Sequence, residues 1–434
     1  MKITWLKLEN FRRFSHLEID FHPELTVLIA RNGQGKSTIL EAICAAFGTY
    51  VGSFDMGKAE HIAQTDVRLA RLSSMPESEP QYPTAISADS SVTDSPWKRE
   101  LTGPKNKTTI KDAAPISDFG KSLQDQLRSD QDVDLPLIAY YGTARLWKAH
   151  KNMSRKSVLT ESRTMGYEDC LSPASNFTQL QQWLAKATLA SLQQEQMPEY
   201  EGKSLKDRIQ GIQQAVNTVL ASEGWSNFHY SLTYEELAMA HEDHGILPVS
   251  ILSDGVRAMI SLVADIAFRC VRLNGHYGKD AILHTKGVAL IDEVDLHLHP
   301  EWQQKVISQL REAFPKIQLV VTTHSPQVLS TVRKENIRIL NFDEYHSPEA
   351  IMPMAKSYGE ESQNVMQAIM GVDPIPPIPE KSLLDELTQL VDSGEYFGDR
   401  AQALLSEVKG ALSDAHPQVQ RIERSIRRQE ALKR

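Results

Sequence analysis

Leu25-Thr-Val-Leu-Ile29-Ala30-Arg31-Asn32-Gly33-Gln34-Gly35-Lys36-Ser37-Thr38 is the stretch whose reading decides the fold class. Its first five residues carry no charge and include β-branched side chains, the pattern of a short buried strand. A turn with two glycines follows, and then Ile39, Leu40, Ile43 and Phe47 recur at helical spacing. A glycine-rich turn between a strand and a helix points successive backbone N–H groups at one place. The helix N-terminus adds its positive end, so the whole forms a cradle for phosphate. Gly33 and Gly35 permit the tight backbone, Lys36 is placed to reach β- and γ-phosphates, and Ser37 can offer its hydroxyl to Mg²⁺. Arg31, Asn32 and Thr38 complete the expected ATP-binding set. Loops of this pattern usually open on Gly. Here that position is Ala30, whose Cβ disfavours positive φ, so a shifted or strained start to the loop is expected.

Four later motifs extend the site. Val288-Ala-Leu-Ile-Asp292-Glu293 is an apolar strand ending in two carboxylates. Asp292 is expected beside the metal ion, and Glu293 beside an attacking water. Thr322-Thr-His324-Ser-Pro326 ends another apolar strand, and His324 is expected to sense the γ-phosphate. Leu252-Ser253-Asp254-Gly255-Val256-Arg257 opens a helix that runs to Leu273, a second helix end suited to an anion. Read alone, it is an ordinary Ser/Asp cap. One protomer needs only one such end for its own phosphates. Ser253, Asp254 and Gly255 are therefore expected to act in trans, on a nucleotide held by another protomer. Val294-Asp295-Leu-His297-Leu-His299-Pro300 follows Glu293 directly and is expected to line that seam, with both histidines as interface and structural groups.

The rest of the chain frames these motifs. Residues 3–9 and 17–21 alternate apolar and polar, and read as two strands joined through Asn10–Phe14. Residues 73–133 are proline-interrupted and rich in Ser, Thr, Asp and Lys, so a loop-rich or disordered stretch is expected there. Leu135–Tyr141 reads as a strand and 175–222 as mostly helical. Asp373–Glu380 reads as a stiff proline linker, followed by helices on the stripe from Leu383 to Val391 and over 401–412 and 419–432. The expected organisation is lobe I over 1–60, an insertion over 61–245, lobe II over 246–350, and a linker with a helical partner-docking segment over 351–434.

Composition sets outer bounds. The chain has 434 residues, 41% hydrophobic and 24% charged, which is enough apolar mass for a large core. A net charge of −9 disfavours a surface that grips nucleic acid everywhere. Cys44, Cys170 and Cys270 are too far apart for a zinc or disulfide framework, so a reducing cytoplasm is expected. No run approaches the ~20 apolar residues of a membrane span. His241-Glu-Asp-His244 and Asp130-Gln-Asp132-Val-Asp134 have metal-like spacing but read better as polar turns, and no second active site is expected.

The ordered set of motifs resembles the ABC-type ATPases, and among them the branch with RecF, Rad50 and SMC heads. The resemblance covers about 1–60 and 245–345. It implies an α/β P-loop ATPase head with a mixed helical and loop insertion and a C-terminal helical segment. The insertion has no sustained heptads, which excludes a long coiled-coil arm. More narrowly, Leu135–Trp147, Gly166-Tyr-Glu-Asp-Cys-Leu171 and the Asp-Pro linker are similar to the ATPase subunit of Septu anti-phage systems (PtuA-like), also found beside retrons. That resemblance implies ATP and Mg²⁺ as cofactors, a homodimer or higher even oligomer, and an HNH-type endonuclease as partner. DNA, or a retron reverse transcriptase and its msDNA, are further expected partners. The expected function is an ATP-gated regulatory subunit of a defence complex. Ala30 and Asp254 suggest slow hydrolysis, with ATP acting partly as a structural switch. Two alternatives stay open: a RecF-like repair ATPase that binds DNA itself, and a transporter ATPase. Arg145 is an expected extra phosphate or seam residue.

Overall fold

In a computed structural model the described residues are 1–71, 78–129, 132–143, 162–173, 177–194, 205–342, 347–374 and 376–432. Among them the strands are β1 (Ile3–Phe11), β2 (Phe14–Asp20), β3 (Leu25–Ile29), β4 (Leu69–Arg71), β5 (Ser78–Pro80), β6 (Thr84–Ser90), β7 (Trp97–Leu101), β8 (Leu137–Tyr141), β9 (Trp225–Ser231), β10 (Glu236–His241), β11 (Gly245–Pro248), β12 (Gly287–Ile291), β13 (Ile317–Thr322), β14 (Ile337–Phe342) and β15 (Pro348–Ile351). The helices are α1 (Lys36–Val51), α2 (Ala114–Arg128), α3 (Phe177–Gln194), α4 (Leu205–Leu220), α5 (Asp254–Leu273), α6 (Ala281–His284), α7 (Pro300–Gln303), α8 (Val306–Ala313), α9 (Pro326–Leu329), α10 (Ser362–Ala368), α11 (Lys381–Asp392), α12 (Asp399–Leu412) and α13 (Pro417–Leu432).

The sheet that organises the site runs β15-β14-β3-β13-β12-β8 among the described residues. β14, β3, β13, β12 and β8 are parallel, and only β15 is antiparallel. Every residue of β3, β8, β12 and β13 is buried, which explains their continuous apolar runs: such strands are covered on both faces. In an open parallel sheet the carboxyl ends share one edge, and ligands bind there. Ile291 pairs with Val321 and Tyr141, and Thr322 with Leu28. The register therefore brings the segments after Ile29, Tyr141, Ile291 and Thr322 to a single edge.

A second, antiparallel sheet has the order β2-β1-β6-β7. Buried Gln318 of β13 joins it to the first: its side-chain oxygen accepts from Ile3 N at 2.8 Å and its amide donates to Ile3 O at 2.8 Å. β6, β7 and α2 correct the expectation of loop over 73–133. β6 pairs with β1 from Ile3↔Ser90 to Glu9↔Ala85. Trp97 is buried and donates through its indole N–H to Ala46 O on α1 at 3.0 Å. The alternation was hidden because the inward residues of β6 include Thr84, Ala88 and Ser90, and β7 turns Arg99 fully inward. Arg99 donates to Ala45 O and to Glu60 O, which ties α1 to the loop before Gln64.

The chain divides into two compact units, Met1–Val365 and Met366–Arg434. The second is a small bundle of α11, α12 and α13 around Leu384, Leu387, Leu404, Val408, Val419 and Ile422. Among the described residues no helix is long and apolar enough to cross a membrane. Arg145, Trp147 and Asp130 lie outside the described residues.

Candidate nucleotide-binding site

The loop between β3 and α1 has the backbone that a phosphate cradle needs. Gly33 (φ 73°) and Gly35 (φ 96°) take the left-handed conformation, and Gly35 is the N-cap of α1, with no side chain capping the helix. A Cβ on Gly35 would also meet the Phe14 ring at 2.5 Å, so both conformation and space require glycine there. Ala30 corrects the expectation of strain: it is not among the residues with positive φ, so its methyl group is tolerated. Its carbonyl accepts a hydrogen bond from Lys36 Nζ at 3.2 Å. Arg31, Asn32 and Gly33 are exposed, whereas Lys36 and Thr38 are buried at the start of α1.

Across the sheet edge, Ser37 Oγ donates to Asp292 Oδ2 at 2.6 Å. The other oxygen, Asp292 Oδ1, accepts from Thr322 Oγ1 at 2.6 Å. The same threonine oxygen accepts from Glu293 N at 2.7 Å. Glu293 has φ 47°, a conformation unfavourable for a residue with a Cβ, and the Thr322 bond helps to hold it. Thus β3–α1, β12 and β13 are joined through one buried carboxylate. Next along, Thr323 Oγ1 donates to Asp295 Oδ1 at 2.6 Å and accepts from Ser325 N at 2.9 Å. His324 lies between these groups.

Burial governs the two basic groups of the site. Burial lowers the pKa of Lys36, although Asp292, Glu293 and Asp295 oppose the shift. Burial lowers the pKa of His324, with Lys36 pushing the same way. His324 is therefore expected to be neutral at pH 7 and to gain its proton only at more acid pH than a free imidazole, usually near 6.5. The folded state thus loses stability as pH falls through the free-imidazole value. Removing the Lys36 charge should move the His324 titration back up toward that value. Imidazole NMR of the wild type and Lys36→Ala would show it, and an unmoved titration would count against the proximity.

Arg12, Arg13 and Asp66 were not among the expected site residues, and Thr322, Thr323 and Asp295 lay within expected motifs without a role of their own. Arg12 pairs with Glu41 of α1 and with Asp66 at 2.9 Å, and Arg13 donates to Gly33 O while lying 4.5 Å from the Phe342 ring centroid. The turn Asn10–Phe14 thus braces the phosphate loop as well as joining two strands. Its doubled arginine was the available signal. Thr322→Val keeps the shape of the side chain and removes its hydroxyl. Leaving buried partners unsatisfied costs about 1–3 kcal/mol, so a lower melting temperature and a kcat roughly tenfold down are expected, with Thr322→Ser restoring both.

The α5 end is arranged differently. Ser253 is its N-cap and makes no side-chain cap bond; Ser253 and Asp254 are exposed. Asp254 pairs with Arg257. That pairing offsets the acid that would otherwise compete with a phosphate at the helix end. Gly255 has a cis role that was not expected: a Cβ there would sit 2.4 Å from His297 O, so the start of α5 packs directly on the Asp295–His299 segment. His297 has φ 62°, and His299 caps α7, accepting weakly from Glu301 N at 3.4 Å. His241, of the metal-like cluster, packs on Trp225 and accepts from Asp243 N at 3.1 Å as a turn cap.

Sheet, cradle and paired carboxylates are those of a P-loop ATPase head, and in this the chain resembles the ABC-type ATPases. Comparison with known proteins agrees. An AAA-domain model matches residues 6–220, and a second, described as an AAA domain, putative AbiEii toxin of a type IV toxin–antitoxin system, matches 175–330. The chain resembles the retron Vc95 probable ATPase of Vibrio cholerae, 25% identical over 88% of this chain and 82% of that one. It resembles the retron Ec83 probable ATPase of Escherichia coli, 25% identical over 93% and 82%. It also resembles the Septu protein PtuA of Bacillus thuringiensis, 30% identical over 30% of this chain and 34% of that protein.

Proposed function

We propose that this chain is the regulatory ATPase of an anti-phage defence complex, that it dimerises around ATP and Mg²⁺, and that it controls a separate HNH-type nuclease. The observation that carries the enzymatic part is the hydrogen-bonded run Ser37–Asp292–Thr322–Glu293 at the mouth of the phosphate loop. The Ser37 hydroxyl and the Asp292 carboxylate are hard oxygen donors of the type Mg²⁺ prefers, and these two would hold it. The cation supplies charge neutralisation at the phosphate oxygens. Arg31, Asn32, Gly33, Gly35, Lys36, Ser37 and Thr38 bind the triphosphate. Glu293 orients and polarises the attacking water, and neutral His324 hydrogen-bonds at the γ-phosphate. Ser253, Asp254 and Gly255 of a second protomer close the site through the free N–H groups of α5.

The defence role rests on the near full-length likeness to retron ATPases and the shorter likeness to PtuA. By that likeness the partners are an HNH-type nuclease and, in a retron setting, a reverse transcriptase and its msDNA. Purifying the tagged chain after co-expression with its neighbouring genes tests the proposal. A co-purifying HNH-type nuclease, gated by ATP, is the expected outcome. If instead the chain alone binds duplex DNA with a steep salt dependence, and no nuclease co-purifies, the repair-type reading replaces it.

A further inference from the structure

Tyr141, the last residue of β8, is held through both its backbone and its side chain. Its carbonyl accepts from Asp292 N at 2.8 Å, where β12 gives way to the Asp292–Glu293 turn. Its hydroxyl donates to Asp265 Oδ2 on α5 at 2.7 Å. The same oxygen accepts from Arg269 Nε at 2.7 Å, and Arg269 Nη1 donates to Gly166 O at 3.0 Å and to Glu168 O at 2.9 Å. That segment runs on to Pro173, whose carbonyl accepts from Gly142 N at 2.7 Å, one residue past Tyr141. Tyr141, Asp265 and Arg269 are all buried. Stability is a weak reason for such a cluster, because apolar side chains can often replace a buried ion pair without loss. The pair is also incompletely satisfied. Both donors converge on Oδ2, and Asp265 Oδ1 has no hydrogen-bond partner among the described residues.

We propose that Tyr141 is a positioning residue for ATP hydrolysis: Asp265 fixes its hydroxyl, and its carbonyl fixes Asp292 and, one residue on, Glu293. The inference rests on the proposed roles of those two carboxylates and deepens them. Ser37 and Thr322 hold Asp292 by its side chain. Tyr141 holds it by its backbone, and so sets the level of the turn that carries both acids. Burial, with Asp265 adding to it, raises the Tyr141 pKa well above the usual phenol value, so the hydroxyl remains a donor. Groups held by their own supporting hydrogen bonds keep the geometry that chemistry needs. A misplacement of about 1 Å can cost roughly 100-fold in rate. Tyr141 itself touches no reacting atom.

The test uses the full chain. Tyr141→Phe removes one oxygen and leaves Asp265 paired with Arg269. It should lower kcat by roughly 10- to 100-fold, while KM and the affinity for a fluorescent ATP analogue stay within about twofold of wild type. Without nucleotide, hydrogen exchange over residues 288–294, followed by mass spectrometry, should become at least about fivefold faster, because the Asp292 amide loses a fixed acceptor. Tyr50→Phe is the matched control. Its hydroxyl is equally buried and lies 2.7 Å from that of Tyr167. Its loss should leave kcat within about twofold and exchange over 288–294 unchanged, and thermal melts check that both variants fold. A kcat within about twofold of wild type in Tyr141→Phe overturns the inference and leaves the ATPase reading standing. So does a fall no larger than that of Tyr50→Phe, or a fall without faster exchange over 288–294, since either makes the cluster a purely structural one. Full activity in Glu293→Gln overturns the reading and the inference together.

Discussion

Lys36→Ala should abolish useful nucleotide binding while leaving the fold at least as stable as the wild type. Lys36 is buried, and its ammonium donates to the backbone carbonyl of Ala30. Its pKa is lowered by burial despite three nearby carboxylates, so the protein holds the ammonium at a cost when no anion is present. In the proposed function that charge serves the triphosphate. Truncating one member of a buried, hydrogen-bonded charge pair costs about 2–5 kcal/mol, which is a loss of roughly 30- to 5,000-fold in affinity. Isothermal titration with ATP and Mg²⁺ measures that loss, and a thermal melt without nucleotide measures the other half of the expectation. Undiminished ATP affinity would remove the phosphate-loop assignment, and a collapsed melt would show Lys36 to be a structural residue.

Glu293→Gln should separate binding from turnover. The carboxylate follows β12 directly, its residue is held at φ 47°, and its backbone N–H is anchored on Thr322. Gln keeps the shape and loses the base. Positioned general-base groups contribute about 10²- to 10⁴-fold, so kcat should fall by that order while ATP affinity is kept or improved. Phosphate release under saturating ATP, beside direct binding, checks both. A kcat within threefold of wild type would assign water activation to another group.

The site was legible in the sequence where chemistry depends on local order. Strand, double glycine, Lys36 and Ser37 form one contiguous run, and Asp292-Glu293 ends an apolar strand, so residue type and position could be read together. The parallel register then accounts for their meeting: Ile291, Val321 and Tyr141 share one level of the sheet, with Thr322 one step beyond. The long-range contacts of Thr322 and Asp66 carried no such local signal, because each depends on segments distant in sequence. Gly255 looked like a residue reserved for another protomer, yet it already packs on His297 O. A substitution at Gly255 therefore disturbs this packing within the chain, and Ser253 is the cleaner probe of the proposed seam. The missed strands β6 and β7 have a different cause. Their inward positions carry Thr84, Ser90 and Arg99, which read as polar loop until α1 and the loop at Glu60 supply hydrogen-bond partners.

In the proposed function a second protomer completes the nucleotide site. Light-scattering mass of the full-length Glu293→Gln protein addresses it most directly, measured with ATP and Mg²⁺, with ADP and Mg²⁺, and with ATP after adding Ser253→Arg. The expected result is that ATP joins protomers in pairs, whereas ADP does not and the Ser253→Arg protein does not. One and the same mass under all three conditions would contradict the claim.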